Sequence, residues 1–264
     1  VSNKERMKST IKYNNMVLDA RPDRMDLRDR GYRPHLRSLP PQYPAEKDIE
    51  TFLPSYKQNG LILNQGDEGA CTGFGLAATI NYLIWNDQVR SELGSKRFNI
   101  GDVDINASLV SERMLYHMAR VYDEWDGEDY SGSSCRGAMK GWHRHGVCKK
   151  SLWKYDVSGK FLPPENDTWA TDALSEPLGA YYRINHQSVV DMQAAISEVG
   201  AIYCSADVHE GWWLSKASPL PVIKVTDKMI GGHAFCIIGY DEKGVIVQNS
   251  WGDAWGWNGF AVLQ

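Results

Sequence analysis

Residues 64–75 read Asn-Gln-Gly-Asp-Glu-Gly-Ala-Cys-Thr-Gly-Phe-Gly, the most informative segment of the chain. Its glycines predict a turn that delivers Cys71 to the first turn of a helix. The apolar residues that continue to about Trp85 leave this helix little polar face, which is typical of a core helix. A cysteine at a helix start favours the thiolate because it lies at the positive end of the helix dipole. Gln65 can fold its amide back beside the sulphur, where it and the Cys71 N–H would hold an oxyanion.

A second pair of candidates lies near the end of the chain. His233 opens an apolar stretch that predicts a strand, a turn follows at residues 241–244, and a return strand ends at Asn249. Such a hairpin brings His233 and Asn249 to the same end of the ribbon. Together with the cysteine and the glutamine of the first stretch, they supply a nucleophile, a base, an orienting amide and an oxyanion donor. Nucleophilic acyl transfer needs that complete set.

These residues, in this order and spacing, resemble the papain family of cysteine peptidases. The interval from Gln65 to Cys71, the sixteen-residue step from His233 to Asn249, and the Asn-Ser-Trp-Gly sequence that follows all match the family pattern. Weaker matches lie between these anchors, so the resemblance covers about residues 25–264. The Gly-Ala-Cys-Thr-Gly-Phe form around the cysteine is similar to the bacterial branch of the family.

The resemblance implies an α+β papain-like fold with two lobes and the active site in the cleft between them. A helical left lobe is expected at about residues 60–160. A right lobe built on an antiparallel β-barrel is expected at about residues 165–264, with part of residues 25–55. Residues 1–24 would precede this catalytic domain of residues 25–264. They form either a flexible arm, as chain ends often do, or the remnant of a pro-segment that lies across the cleft and inhibits the enzyme.

The activity that the resemblance implies is that of a thiol protease, a hydrolase of peptide bonds. Cys71 and His233 would form a thiolate–imidazolium pair, Asn249 would orient the imidazole, and Gln65 would stabilise the oxyanion. The same four residues would also serve an exopeptidase, an amidase or a deamidase. A binding or toxin-like module whose site is intact but capped is a third alternative that the sequence leaves open.

Six further residues are implied to bind substrate. Gly132 and Ser133 occupy the place of a glycine pair that bonds the substrate backbone, and the serine side chain would narrow the cleft. Ser205 and Ala206 end a predicted strand that lines the main specificity pocket in relatives. Trp251 would shield the bond between the candidate base and its amide from water. The complete set is Gly132, Ser133, Ser205, Ala206, Gly232 and Trp251.

Composition argues against several other function classes. The net charge of −4, the pI near 6.0 and the lack of a basic block disfavour nucleic acid or an anionic membrane as the main partner. No apolar run approaches the roughly 18 residues that a membrane span requires. The predicted partner is a peptide or protein substrate, and a monomer is expected. Five scattered cysteines fit a reducing compartment such as the cytoplasm, although export to a host cell stays open.

No cofactor or metal is predicted. His143, His145 and Cys148 form a short cluster, but positions 143 and 145 point to different faces of a helix and no fourth zinc ligand is evident. Glu68 takes the position where secreted papain relatives start a disulfide, so the resemblance implies that this bridge is absent. Glu68 is expected to be a solvent-facing turn residue.

Local patterns predict further elements. Apolar spacing favours helices at residues 108–120, 136–145 and 189–199 and strands at residues 181–184 and 200–206. The prolines of residues 33–60 predict a long connection with about one helical turn near residues 46–52.

Overall fold

The structure, a computed structural model, describes residues 12–13, 16–35, 49–92, 99–125 and 131–264 of the 264-residue chain. The helices are α1 (Ile49–Gln58), α2 (Cys71–Glu92), α3 (Glu112–Val121), α4 (Cys135–His145), α5 (Thr168–Ala173) and α6 (Val189–Val199). The strands are β1 (Lys12–Tyr13), β2 (Met16–Val17), β3 (Ile202–His209), β4 (Val222–Ile223), β5 (Met229–Asp241), β6 (Gly244–Gln248) and β7 (Phe260–Leu263). Within these ranges no helix combines the length and apolar character that a membrane crossing needs.

Helix α2 is the central element of the fold. It is 22 residues long, and every residue from Cys71 to Tyr82 is buried. Two glycines allow its neighbours to approach closely: a Cβ at Gly73 would lie 2.5 Å from Tyr116 of α3, and one at Gly75 would lie 2.9 Å from the Phe235 nitrogen of β5. The helix is therefore packed between the helical part of the molecule and the sheet.

The helical part is built on one large apolar cluster. Aromatic rings dominate it: Phe52 of α1 lies 5.5 Å from the Trp85 ring of α2 and 5.8 Å from the Phe260 ring of β7. Serine caps start its helices, since the Ser111 side chain accepts from the Met114 N–H of α3 and the Ser134 side chain accepts from the Gly137 N–H of α4.

The sheet has five strands in the order β3-β5-β6-β7-β4, antiparallel except for the β4–β7 pair. The predicted α+β class is confirmed, but the predicted β-barrel is wrong because the described sheet is open. Its edge strands β3 and β4 do not pair with each other, and β4 has only two residues. A second apolar cluster, rich in tryptophan, covers this sheet.

The N-terminal part of β5 is covered by a segment from the start of the chain. Strand β6 pairs with β5 only from Cys236 onward, whereas β3 pairs with the earlier residues. Residues 18–21, here called the cleft segment, fill the free edge: the Gly232 N–H donates to the Leu18 carbonyl at 3.1 Å, and the Ala20 N–H donates to the Gly232 carbonyl at 3.0 Å. On its other side the segment reaches the loop before α4, where the Arg21 N–H donates to the Ser133 carbonyl at 3.0 Å. All four residues are buried.

Arg136, at the start of α4, holds residues 23–29, which follow the cleft segment in the chain. Its backbone N–H donates to the Asp23 carboxylate at 2.9 Å, and its guanidinium pairs with Asp29 and, at 3.2 Å, with Glu124. The guanidinium also donates to the carbonyl of Arg24. A buried cation thus ties residues 23–29 to the helical part.

Candidate active site

Cys71 is the first residue of α2 and is fully buried. It packs in a small cluster with Ala20, Cys135 and Ala234. Burial raises the pKa of its thiol to about 12, and the Asp19 carboxylate of the cleft segment adds to the rise. Backbone N–H groups, including that of Ala234, lie within hydrogen-bonding reach of the sulphur and oppose the rise, but burial dominates. The nucleophile candidate is therefore a neutral thiol in this covered state.

His233 lies on β5 directly before Ala234, so the fold brings the candidate base next to the residue that contacts the sulphur. Its Nε2 lies 2.8 Å from the Asn249 Oδ1, which also accepts the Ser250 N–H at 2.7 Å. Because a carbonyl oxygen only accepts, Nε2 must carry the proton, and Nδ1 of the neutral ring is the free base. That Nδ1 is buried and makes no hydrogen bond to any residue the structure describes.

The histidine is neutral for a physical reason. Burial lowers its pKa to about 4, and the hydrogen bond that Nε2–H donates to Asn249 only partly opposes this. Trp251 covers the ring with centroids 4.7 Å apart, and Trp212 meets it edge-on at 6.0 Å. Burial thus favours a neutral thiol and a neutral imidazole in this covered state, and the thiolate–imidazolium pair stays a prediction for the open site.

Gln65 is fully buried, and four hydrogen bonds hold it. Its Oε1 accepts from the Ser250 hydroxyl at 2.7 Å, and its Nε2 donates to the Glu68 carbonyl at 3.0 Å. Its backbone N–H donates to the Ser250 carbonyl at 2.9 Å, and its own carbonyl accepts from the Tyr155 hydroxyl at 2.7 Å. One N–H of the amide remains for a ligand. Ser250, which directly follows Asn249, therefore holds the glutamine beside the histidine's partner.

Three of the six predicted substrate-binding residues contact the cleft segment. Gly132 approaches it so closely that a Cβ would lie 1.9 Å from the Asp19 carbonyl, and a Cβ at Gly232 would lie 1.9 Å from the Ala20 carbonyl. Ser133 offers its carbonyl to the segment, but its hydroxyl bonds the Thr72 hydroxyl of α2 at 2.6 Å. The serine side chain thus points to the helix and does not narrow the cleft as the sequence suggested.

The other three lie around the histidine. Ser205 and Ala206 pair with Ala234 and His233 across the β3–β5 ladder. Trp251 stacks on Trp213 with centroids 5.0 Å apart and an interplanar angle of 16°. The indole therefore lies between the histidine and a tryptophan of the long loop before β5.

Sequence reasoning missed the residues that hold the oxyanion candidate. Ser250 belongs to the Asn-Ser-Trp-Gly sequence, so its position was visible although its contact with Gln65 was not. Glu68 is only partly exposed, and its carboxylate pairs with Arg113 of α3. Nothing in the linear pattern joins Glu68, Arg113 and Tyr155, because they come from three separate segments.

The short histidine–cysteine cluster does not converge. His143 contacts the Leu178 carbonyl at 3.2 Å, His145 bonds the Tyr122 hydroxyl at 2.7 Å, and Cys148 is buried. Among the residues that the structure describes, no group of three or more His, Cys, Asp or Glu could hold a metal ion.

The chain is similar to known proteins in both sequence and fold. A family model described as papain family cysteine protease matches residues 108–264. Cathepsin B-like cysteine proteinase 3 of Caenorhabditis elegans is 34% identical over 245 residues, 86% of this chain and 63% of that protein. An uncharacterised peptidase C1-like protein of Acanthamoeba polyphaga mimivirus is 25% identical over 210 residues, 75% of this chain and 62% of that protein. The chain thus spans a little under two thirds of the length of these curated relatives.

Among solved structures, xylellain, a cysteine protease from Xylella fastidiosa, superposes with a TM-score of 0.66 at 24% identity, covering 93% of this chain and 88% of that one. This likeness shows the fold, and the resemblance to the bacterial branch stays a prediction. The fold, the family match and the arrangement around the cleft lead to one conclusion. The chain belongs to the papain family of cysteine proteases.

Proposed function

We propose that Cys71 is the nucleophile of this cysteine protease, His233 its base, Asn249 the residue that orients the base, and Gln65 the side-chain donor to the oxyanion. The observation that carries the proposal is the His233–Asn249 bond at 2.8 Å, which leaves Nδ1 as a free base beside the residue that contacts the Cys71 sulphur. A buried imidazole held in one tautomer with its basic nitrogen open is suited to accept a thiol proton.

The chemistry follows from these positions. His233 Nδ1 takes the thiol proton while the Cys71 sulphur bonds to the substrate carbonyl carbon. The oxygen becomes an oxyanion, held by the free N–H of Gln65 and the Cys71 N–H. Collapse breaks the C–N bond, and the imidazolium gives its proton to the leaving amine. Water then attacks the thioester and passes a proton to His233; collapse breaks the C–S bond, releases the acid and restores the thiol.

The proposal extends to self-inhibition by the N-terminal arm of residues 1–24. The cleft segment takes the backbone positions that a substrate would need: Gly232 on one wall and Ser133 on the other. We assign these positions, with Gly132, to binding of the substrate backbone, and Ser205, Ala206 and Trp251 to the surroundings of the scissile bond. The segment also buries Cys71 and brings Asp19 near it, which raises the thiol pKa. It therefore both blocks access and suppresses the thiolate.

A variant that weakens the arm within the 264-residue chain tests both parts. Leu18 is fully buried in the apolar cluster on the sheet, so Leu18→Asp would place a carboxylate there and expel the segment. We expect Leu18→Asp to cleave a peptide library faster than the wild type, and Leu18→Asp/Cys71→Ala to cleave nothing. Mass spectrometry of the products separates internal cleavage from removal of terminal residues or release of ammonia, which would make the enzyme an exopeptidase or an amidase.

Equal cleavage by Leu18→Asp and Leu18→Asp/Cys71→Ala would refute the role of Cys71. Cleavage that depends on Cys71 but is equally fast in the wild type and in Leu18→Asp would refute self-inhibition alone. A folded Leu18→Asp variant whose Cys71 reacts with iodoacetamide but which cleaves no peptide would point to the capped binding module.

A further inference from the structure

Gln65, the proposed donor to the oxyanion, is held by a hydrogen-bond network that begins outside the cleft. This inference rests on the proposed role of Gln65. The orientation of the Gln65 amide depends on the Glu68 carbonyl, which accepts from Gln65 Nε2 at 3.0 Å. The same carbonyl accepts the Ala70 N–H at 2.7 Å. Where the Glu68 backbone sits therefore decides which direction the free N–H of Gln65 takes.

Glu68 is itself fixed by a two-point ion pair. Arg113 Nη1 donates to one carboxylate oxygen at 3.0 Å, and Nη2 donates to the other at 2.6 Å. The Arg113 side chain is only 3% exposed, so the pair is shielded from solvent on that side. A planar fork that meets a carboxylate at two points fixes its orientation as well as its position.

Tyr155 connects the ion pair to the other side of the glutamine. The Arg113 guanidinium lies over the Tyr155 ring at 4.4 Å, and the Tyr155 hydroxyl donates to the Gln65 carbonyl at 2.7 Å. Burial, with Glu68 close by, raises the pKa of Tyr155, so the phenol stays protonated and remains a donor. The turn between them is closely packed, since a Cβ at Gly66 would lie 2.3 Å from the Val157 carbonyl.

We propose that Arg113 is a positioning residue for the reaction: through its two-point pair with Glu68 it aims the Gln65 amide at the oxyanion, although it touches neither substrate nor nucleophile. A lysine at this position keeps the charge but cannot form the fork. Its effect should fall on the transition state, where the oxyanion exists, and not on substrate binding or on the reactivity of the thiol.

The test is a double-mutant cycle in the full chain carrying Leu18→Asp. Gln65→Ala should lower kcat about 10²–10³-fold. Arg113→Lys should lower kcat about tenfold with KM changed less than about twofold, since a misaimed donor is partly lost. In the Gln65→Ala background, Arg113→Lys should lower kcat by less than about twofold. Alkylation of Cys71 by iodoacetamide forms no oxyanion, so its rate should stay within about twofold in Arg113→Lys.

Arg120→Lys is the matched control, because it is the same substitution on the same helix at an exposed position and should leave all constants unchanged. Glu68→Gln, which keeps the shape of the side chain but removes its charge, is the second variant and should follow Arg113→Lys. An equal loss with and without Gln65, or a parallel loss of alkylation, overturns the inference. So does failure of both variants to fold, since the pair would then serve stability. A Gln65→Ala variant with normal kcat refutes the proposed function instead.

Discussion

The Ala20 N–H donates to the Gly232 carbonyl at 3.0 Å, one residue before the candidate base His233. The Gly232 N–H returns the bond to Leu18, so the start of the chain adds to β5 as a short parallel strand. This is backbone recognition of the kind that sheet edges offer to extended peptides. The absence of a side chain at Gly232 permits this pairing, because a Cβ there would lie 1.9 Å from the Ala20 carbonyl.

Gly232→Ala should open the cleft in the full chain. The added Cβ would lie 1.9 Å from the Ala20 carbonyl, and an overlap with backbone costs about 1–3 kcal/mol. We expect iodoacetamide to label Cys71 about tenfold faster or more. Gly179→Ala is the control, because nothing lies within 4 Å of its Cβ. An unchanged labelling rate would show that the segment does not limit access.

Asn249→Ala should reduce turnover, because the imidazole would lose the residue that orients it. It removes the acceptor of the His233 Nε2–H and with it the preference for the tautomer that frees Nδ1. In the Leu18→Asp background we expect kcat to fall at least about tenfold with KM little changed. Asn249→Asp keeps an acceptor and should retain more activity while raising the imidazole pKa in the pH–rate profile. Equal activity in Leu18→Asp and Leu18→Asp/Asn249→Ala would contradict the assigned role.

Acid should destabilise the covered state through His233. Burial lowers its pKa from 6.5 to about 4, so the folded protein keeps the ring neutral while the unfolded chain takes up a proton below 6.5. The stabilisation is complete above pH 6.5 and is lost as the pH falls toward 4. Thermal melts between pH 4 and 7 should show Tm falling with acid, with a shallower fall in His233→Gln. Parallel curves for the two proteins would exclude this histidine as the source.

Arg136→Met should release the residues that follow the cleft segment. The guanidinium is only 4% exposed and pairs with Asp29 and Glu124, so its loss removes their buried cation and leaves Asp29 with the more exposed Arg183 and Glu124 with the more exposed Lys140. We expect faster proteolysis at residues 22–32 and faster labelling of Cys71. Arg144→Met, at an exposed position of the same helix, is the control. Faster proteolysis without faster labelling would mean that this anchor acts independently of the cleft segment.

Much of the fold could be predicted because the patterns were local. The helix expected at residues 189–199 is observed with those bounds, and that at 136–145 begins one residue earlier. In both cases a serine cap and a terminal glycine act within a few residues. The strand expected at residues 181–184 is only a single bridge between Gly31 and Arg183, since its partner comes from the distant N-terminal part.

The length of helix α1 was underestimated, because its stability depends on contacts with residues distant in the sequence. Pro54 lies inside it and removes a backbone donor, which local rules penalise by about 3 kcal/mol. Burial of Phe52 and Tyr56 among the aromatic rings compensates, and that packing is visible only in three dimensions. Part of the predicted turn at residues 46–52 lies outside the described residues.

The site divides in the same way. The candidate residues themselves could be identified because their spacing follows the family pattern. The contacts that adjust them could not: the Gln65–Ser250 bond and the Arg113–Glu68 pair join residues 185 and 45 positions apart. Such pairs depend on tertiary packing, which no local pattern encodes.

Under the proposed self-inhibition, the cleft segment is tethered to the enzyme, so a peptide substrate must compete with an intramolecular occupant. A short covalent link gives an effective concentration on the order of millimolar, fixed by geometry and independent of how much enzyme is present. Dilution of the enzyme therefore does not relieve the inhibition. A weakly binding substrate displaces the segment only slightly even when its concentration rises. One nick beside Met25 or Leu27, both more than 90% exposed, would turn the occupant into a freely diffusing peptide and make its departure irreversible.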